Sequence, residues 1–101
     1  MAYQVLLADS ALDFIDAHVY SERILARIET YIDLLGDYPY LGAVYDPDYP
    51  SARPPIGCRQ LSIPDTPFTL FYCVDEARST VNVLYIDFST RDPLKRFHPS
   101  R

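Results

Sequence analysis

Three β-favouring runs follow one another with only tight-turn sequence between them: "CRQLSI" at 58–63, "FTLFYCV" at 68–74 and "TVNVLYIDF" at 80–88. Pro64-Asp65-Thr66-Pro67 and residues 75–79 carry turn chemistry, so the runs are expected to pair as a meander. If Ile63 stands opposite Phe68, then Leu61 faces Leu70, Arg59 faces Tyr72 and Cys58 faces Cys73. Alternation then gathers Leu61, Ile63, Phe68, Leu70, Tyr72 and Val74 on one face and leaves Gln60, Ser62, Thr69 and Phe71 on the other. The last run is apolar on both faces, Val81, Val83 and Tyr85 against Leu84, Ile86 and Phe88. That pattern predicts a central place in the sheet.

An apolar sheet face needs a cover, and the front half of the chain supplies one. "YQVLLA" at 3–8 reads as a first strand. Ser10 with Asp13 approximates a capping box, and Leu12, Ile15 and Val19 recur at helical spacing, so a first helix is expected to end near Tyr20. Ser21 is placed to cap a second helix whose stripe is Ile24, Leu25, Ile28, Tyr31, Ile32 and Leu35, closed by Gly36. Neither Gly nor Pro separates the two, and one long helix fits as well. Residues 37–57 contain five prolines and little periodicity. They read as a long loop that either covers a sheet edge or serves as a binding surface. The expected architecture is α+β: an N-terminal strand, a two-helix hairpin, then a three-stranded antiparallel meander, with the helices on one face of a small sheet. At 101 residues and 49 % hydrophobic content it forms a single domain, 1–101, with no room for a second core.

Charge narrows the function. The formal net charge is −5, which argues against non-specific nucleic-acid binding through phosphate neutralisation. Residues 1–50 hold nine acids and two bases, residues 51–101 five acids and seven bases. Any anion site is therefore expected in the second half, where four of the nine cations fall in the last stretch, "STRDPLKRFHPSR". Arg59, Arg91, Lys95, Arg96 and His98 are the candidates. Guanidinium groups hold phosphate oxygens bidentately and a histidine exchanges protons near neutral pH; the alternative is internal pairing with Asp87, Asp92 or the acidic helices. No GxGxxG, P-loop, HExxH or GxSxG motif occurs. Cys58 and Cys73 are expected as free thiols, and with only distant histidines they suggest no metal site; no cofactor is expected. No apolar run approaches the roughly 20 residues of a membrane span, and residues 1–9 have no signal-peptide pattern, so the expected location is the cytoplasm.

The sequence resembles the RelE/ParE toxin superfamily over nearly its whole length. The resemblance is carried by "YQVLLADSA", "YIDLLGDYPYLG" with Pro39 and Gly42, "GCRQL" with Arg59, "FTLFYCVDE" and "VLYIDFSTRDPLKRF". It implies a type II toxin of the kind also described as plasmid-stabilisation proteins, with a cognate antitoxin as partner. RelE-like members cleave mRNA on the ribosome by activating a ribose 2′-hydroxyl, with Lys and Arg stabilising charge. In that case Arg59 and Arg91 would hold phosphate, and His98 or Tyr85 would move the proton. Here Thr69 stands where the family often has Arg, Phe88 where ParE-like members often have His, and no lysine precedes Lys95. Depleted cations favour the ParE-like branch, which binds DNA gyrase, with Arg91, Lys95, Arg96 and Phe97 as the target-binding segment. A degenerate fold that retains only antitoxin binding is the third reading. A homodimer through a sheet edge is compatible with all three.

Overall fold

The computed structural model describes residues 3–45 and 58–90. Strand β1 (Gln4–Leu7) leads into helix α1 (Asp9–His18) and helix α2 (Glu22–Asp37), then strands β2 (Ala43–Tyr45), β3 (Cys58–Ser62), β4 (Phe68–Asp75) and β5 (Thr80–Phe88). They form one sheet in the order β1-β5-β4-β3-β2. β1 runs parallel to β5 and all other neighbours are antiparallel.

The meander adopts the expected register, with Arg59 opposite Tyr72 and Leu61 opposite Leu70. Its turns use left-handed backbone at Asp65 (φ 61°) and Ser79 (φ 51°). Leu70, Tyr72, Val81, Val83, Ile28 and Leu35 are completely buried between sheet and helices. Phe14 of α1 adds edge-on contacts to Phe68 and Phe88, ring centres 5.5 and 5.3 Å apart. β5 is internal, as its composition predicts, but its two-faced look has another cause. Phe71 pairs with Tyr85 whereas Tyr72 pairs with Val83, so Leu84 is an extra residue in β5. This bulge shifts the alternation by one. Val81, Val83, Ile86 and Phe88 thereby all face the helices, and Asn82, Tyr85 and Asp87 share the other face.

Three further details differ from the sequence reading, and one expected feature is met. Helix α1 begins at Asp9 with Ala8 at its N-cap and no side-chain cap; Ser10 Oγ instead donates to the Leu84 carbonyl at 2.6 Å, tying α1 to the bulge. The expected two helices form, and Ser21 caps the second as expected, accepting from Ile24 N at 3.4 Å. α2 continues through Gly36 to Asp37. Gly36 is buried and its carbonyl accepts from Tyr3 N at 2.7 Å. Finally, the segment read as one long loop contains β2, which pairs Ala43 with Gln60 and Val44 with Arg59. Three residues at a sheet edge are too few to show a period.

Candidate functional site

Arg59 is the cation of the sequence-predicted cluster that lies within the described residues; Arg91, Lys95, Arg96, Phe97 and His98 lie outside them. Alternation from Leu61 puts Arg59 on the helix-bearing face, beyond the C-terminal end of α2. Its Nη1 donates to the Gly42 carbonyl at 2.7 Å, and its guanidinium carbon sits 4.9 Å from the centre of the Tyr40 ring, a cation–π contact. The Gly42 N–H in turn donates to Tyr72 Oη at 2.8 Å. Burial raises the Tyr72 phenol above its ordinary pKa, against the opposing effects of the Gly42 hydrogen bond and the Arg59 charge. Tyr72 is thus a core residue whose hydroxyl surfaces at one point and is met there by backbone.

Glu76, in the β4–β5 turn, closes the cluster. It accepts from Tyr3 Oη at 3.0 Å and from Tyr40 Oη. Its hydrogen bond is the main cause that pushes Tyr40 up to about 12, with burial and the Glu76 charge adding to it. Tyr3 is raised for the same reasons. Arg59 makes no ion pair among the described residues, where the salt bridges join Arg27 to Asp65 and Arg78 to Asp75. Its guanidinium meets a carbonyl and an aromatic ring, and the residue is half-buried.

Tyr85 lies elsewhere. It pairs with Phe71, which puts it on the face away from the helices, whereas Arg59 pairs with Tyr72 on the helix face. The structure separates these two sequence-predicted residues by the thickness of the sheet. The face away from the helices carries a chain of hydroxyls: Ser62 Oγ to Thr69 Oγ1 at 3.1 Å and Thr69 Oγ1 to Ser89 Oγ at 2.7 Å. Asp87 beside them is buried, and its carboxylate accepts from Phe88 N at 2.8 Å. Thr69 and Phe71 are buried as well, so this face is drier than simple alternation predicts. Among the described residues no group of three or more His, Cys, Asp or Glu is arranged to hold a metal ion, and no helix is long and apolar enough to cross a membrane.

A second feature is a groove of about 370 Å³ lined by Leu7, Leu12, Ile15, Leu25, Ile28 and Ile32, with Glu29 and Asp33 at its polar rim. Leu12 and Leu25 remain 47 % and 36 % exposed, so part of the amphipathic stripe that the sequence assigns to core faces solvent. The helices around it carry Asp9, Asp13, Asp16, Glu22, Glu29, Asp33 and Asp37 against Arg23 and Arg27. Arg27 is committed to the Pro64 carbonyl and Asp65.

A helical hairpin laid on one face of a five-stranded sheet, with the first strand parallel to the last, defines a small α+β class. Solved structures with this fold include a toxin and toxin–antitoxin complexes. No protein-family model matches the chain, and no curated protein sequence does. The RelBE2 toxin–antitoxin complex of Mycobacterium tuberculosis matches with a TM-score of 0.66 and 22 % identity, over 87 % of this chain and 99 % of that one. The RelE–RelB complex of Pyrococcus horikoshii gives 0.69 and 11 % identity, covering 91 % and 100 %. A mutant of Escherichia coli RelE in the free state gives 0.69 and 14 %, covering 96 % and 94 %. The chain has the fold of these RelE structures.

Proposed function

We propose that this chain is the toxin of a type II toxin–antitoxin pair, that it acts by binding a protein target such as DNA gyrase, and that a cognate antitoxin neutralises it. The separation of Arg59 and Tyr85 on opposite faces is the observation that carries the reading. Stabilising a phosphorane requires donors converging on one point, and a phosphate on either face meets one of these residues without the other. Among the described strand residues on the face away from the helices none is Lys or Arg. Target contact falls to Arg91, Lys95, Arg96 and Phe97. The RelE names of the solved neighbours favour a second reading, a ribosome-dependent mRNA endonuclease using Arg59 and Arg91 with His98 or Tyr85. Inducing the chain alone in a bacterial host is expected to lower colony counts by orders of magnitude, with DNA breaks and filamentation, and coexpressed antitoxin restores growth. Mapped cleavage of ribosome-bound mRNA would transfer the assignment to the second reading, and unimpaired growth would reduce the chain to an inert module.

In this reading the antitoxin seats an amphipathic segment in the groove between α1, α2 and β1. Leucine- or isoleucine-sized side chains fill its apolar floor, and Lys or Arg on the flank meet Glu29 and Asp33. The double reversal Glu29→Lys/Asp33→Lys is expected to weaken antitoxin binding roughly tenfold at low salt, mostly through association rate, and to converge with the wild type at high salt. Undiminished, salt-independent affinity measured by titration calorimetry contradicts the placement.

A further inference from the structure

The two cysteines lie on neighbouring strands of the sheet. The backbone ladder says more. Ile63 N donates to the Phe68 carbonyl at 3.0 Å, which makes 63/68 a hydrogen-bonded pair of the β3–β4 ladder. Antiparallel pairs alternate in kind, so 61/70 and 59/72 are hydrogen-bonded, whereas 62/69 and 60/71 are not. The 3.1 Å contact between the Ser62 and Thr69 hydroxyls agrees with the closer side chains of a non-hydrogen-bonded pair. One step beyond Arg59/Tyr72, Cys58 falls opposite Cys73 in that same close kind of pair. There Cα atoms stand about 4.5 Å apart, at the short end of the window a disulfide spans.

We infer that Cys58 and Cys73 form a cross-strand dithiol that closes to an intramolecular disulfide when the protein meets a low-molecular-weight disulfide such as oxidised glutathione. Both are free thiols in the structure, Cys58 buried and Cys73 partly exposed. That difference sets the order of events. The Cys73 thiolate attacks the S–S bond of oxidised glutathione, forming a mixed disulfide and expelling one glutathione thiolate. Cys58, once deprotonated, attacks Cys73 Sγ and expels the second. The two cysteine sulfurs are oxidised by one electron each, the glutathione disulfide is reduced to two thiols, and the two cysteine protons go to the departing thiolates. Burial, and the neighbouring Cys73, push the Cys58 thiol up to about 11; burial and Asp75 raise Cys73 too. Few thiolates form at neutral pH, so closure is slow there and accelerates as pH rises from 7 to 9. A bond held at the short end of its window is readily reduced again, which makes it a reversible staple of the strand that carries Arg59.

The test uses the intact chain, whose only cysteines are these two. Incubation with oxidised glutathione, acid quenching and intact-mass analysis are expected to show both thiols lost together in a monomer two hydrogens lighter. Far-UV circular dichroism stays unchanged, and dithiothreitol restores the thiols. Cys58→Ser is expected to stop at a stable glutathione adduct on Cys73, and Cys73→Ser to react at least tenfold more slowly than wild type because its remaining thiol is buried. A persistent glutathione adduct on the wild type, disulfide-linked dimers, or two thiols inert at pH 9 would each overturn the inference.

Discussion

Gly42→Ala is expected to cost about 3 kcal/mol of folding stability, at the upper end of overpacking effects, and to lower the urea midpoint accordingly. A Cβ built at Gly42 comes within 2.4 Å of the Gln60 carbonyl oxygen and 2.8 Å of Tyr72 Oη. The first of these is backbone in the adjoining strand and cannot swing aside. Relieving the clash means pushing β2 off β3, which breaks the Gly42–Tyr72 and Arg59–Gly42 hydrogen bonds together. The strain is steric and not conformational, since Gly42 does not have positive φ. Comparison with Tyr72→Phe separates the parts: that change leaves the Gly42 N–H without its acceptor and is expected to cost about 1–2 kcal/mol. A Gly42→Ala protein as stable as the wild type would mean that the close approach of β2 to β3 is wrong.

Ile28→Ala is expected to lose about 3–4 kcal/mol, a large fraction of the total for a domain of this size. Ile28 is completely buried in the core that α2 shares with the sheet, so truncation removes buried apolar contacts and leaves space behind. Leu25→Ala, one turn earlier on the same helix, is expected to cost under about 1 kcal/mol because Leu25 is 36 % exposed. The two substitutions also divide stability from recognition. Thermal melts should rank Ile28 far above Leu25, while, under the proposed function, antitoxin affinity at a temperature where both variants are folded should suffer from Leu25→Ala. Equal losses of stability would show that the outer half of the stripe is core.

The meander register was legible because two constraints coincided: turn residues limited the offsets, and only one offset collected the large apolar side chains on one face. The helical hairpin was legible from its stripe and from Ser21. β2 was not, since Ala43–Tyr45 sits inside a proline- and tyrosine-rich stretch and gains strand character only from β3. The bulge at Leu84 was also hidden, because a residue inserted into an apolar run produces the same pattern as a strand buried on both faces. The environment of Arg59 depended on contacts remote in sequence, Gly42 with Tyr72 and Tyr40 with Glu76. Two signals could have found it. A tyrosine on the core face needs a partner for its hydroxyl, and one of only three glycines two residues before "VY" marks a close approach of backbone.

The parallel pairing of β1 with β5 has a consequence for synthesis. Gln4 finds Thr80 and Leu7 finds Val83, so the opening strand has no partner until the ninth decade of the chain has left the ribosome. Until then α1 and α2 have no finished surface to rest on, and a nascent chain exposes their leucines and isoleucines. Such distant closure slows folding and prolongs the interval in which a chaperone or another binding protein can capture the hairpin before the sheet does.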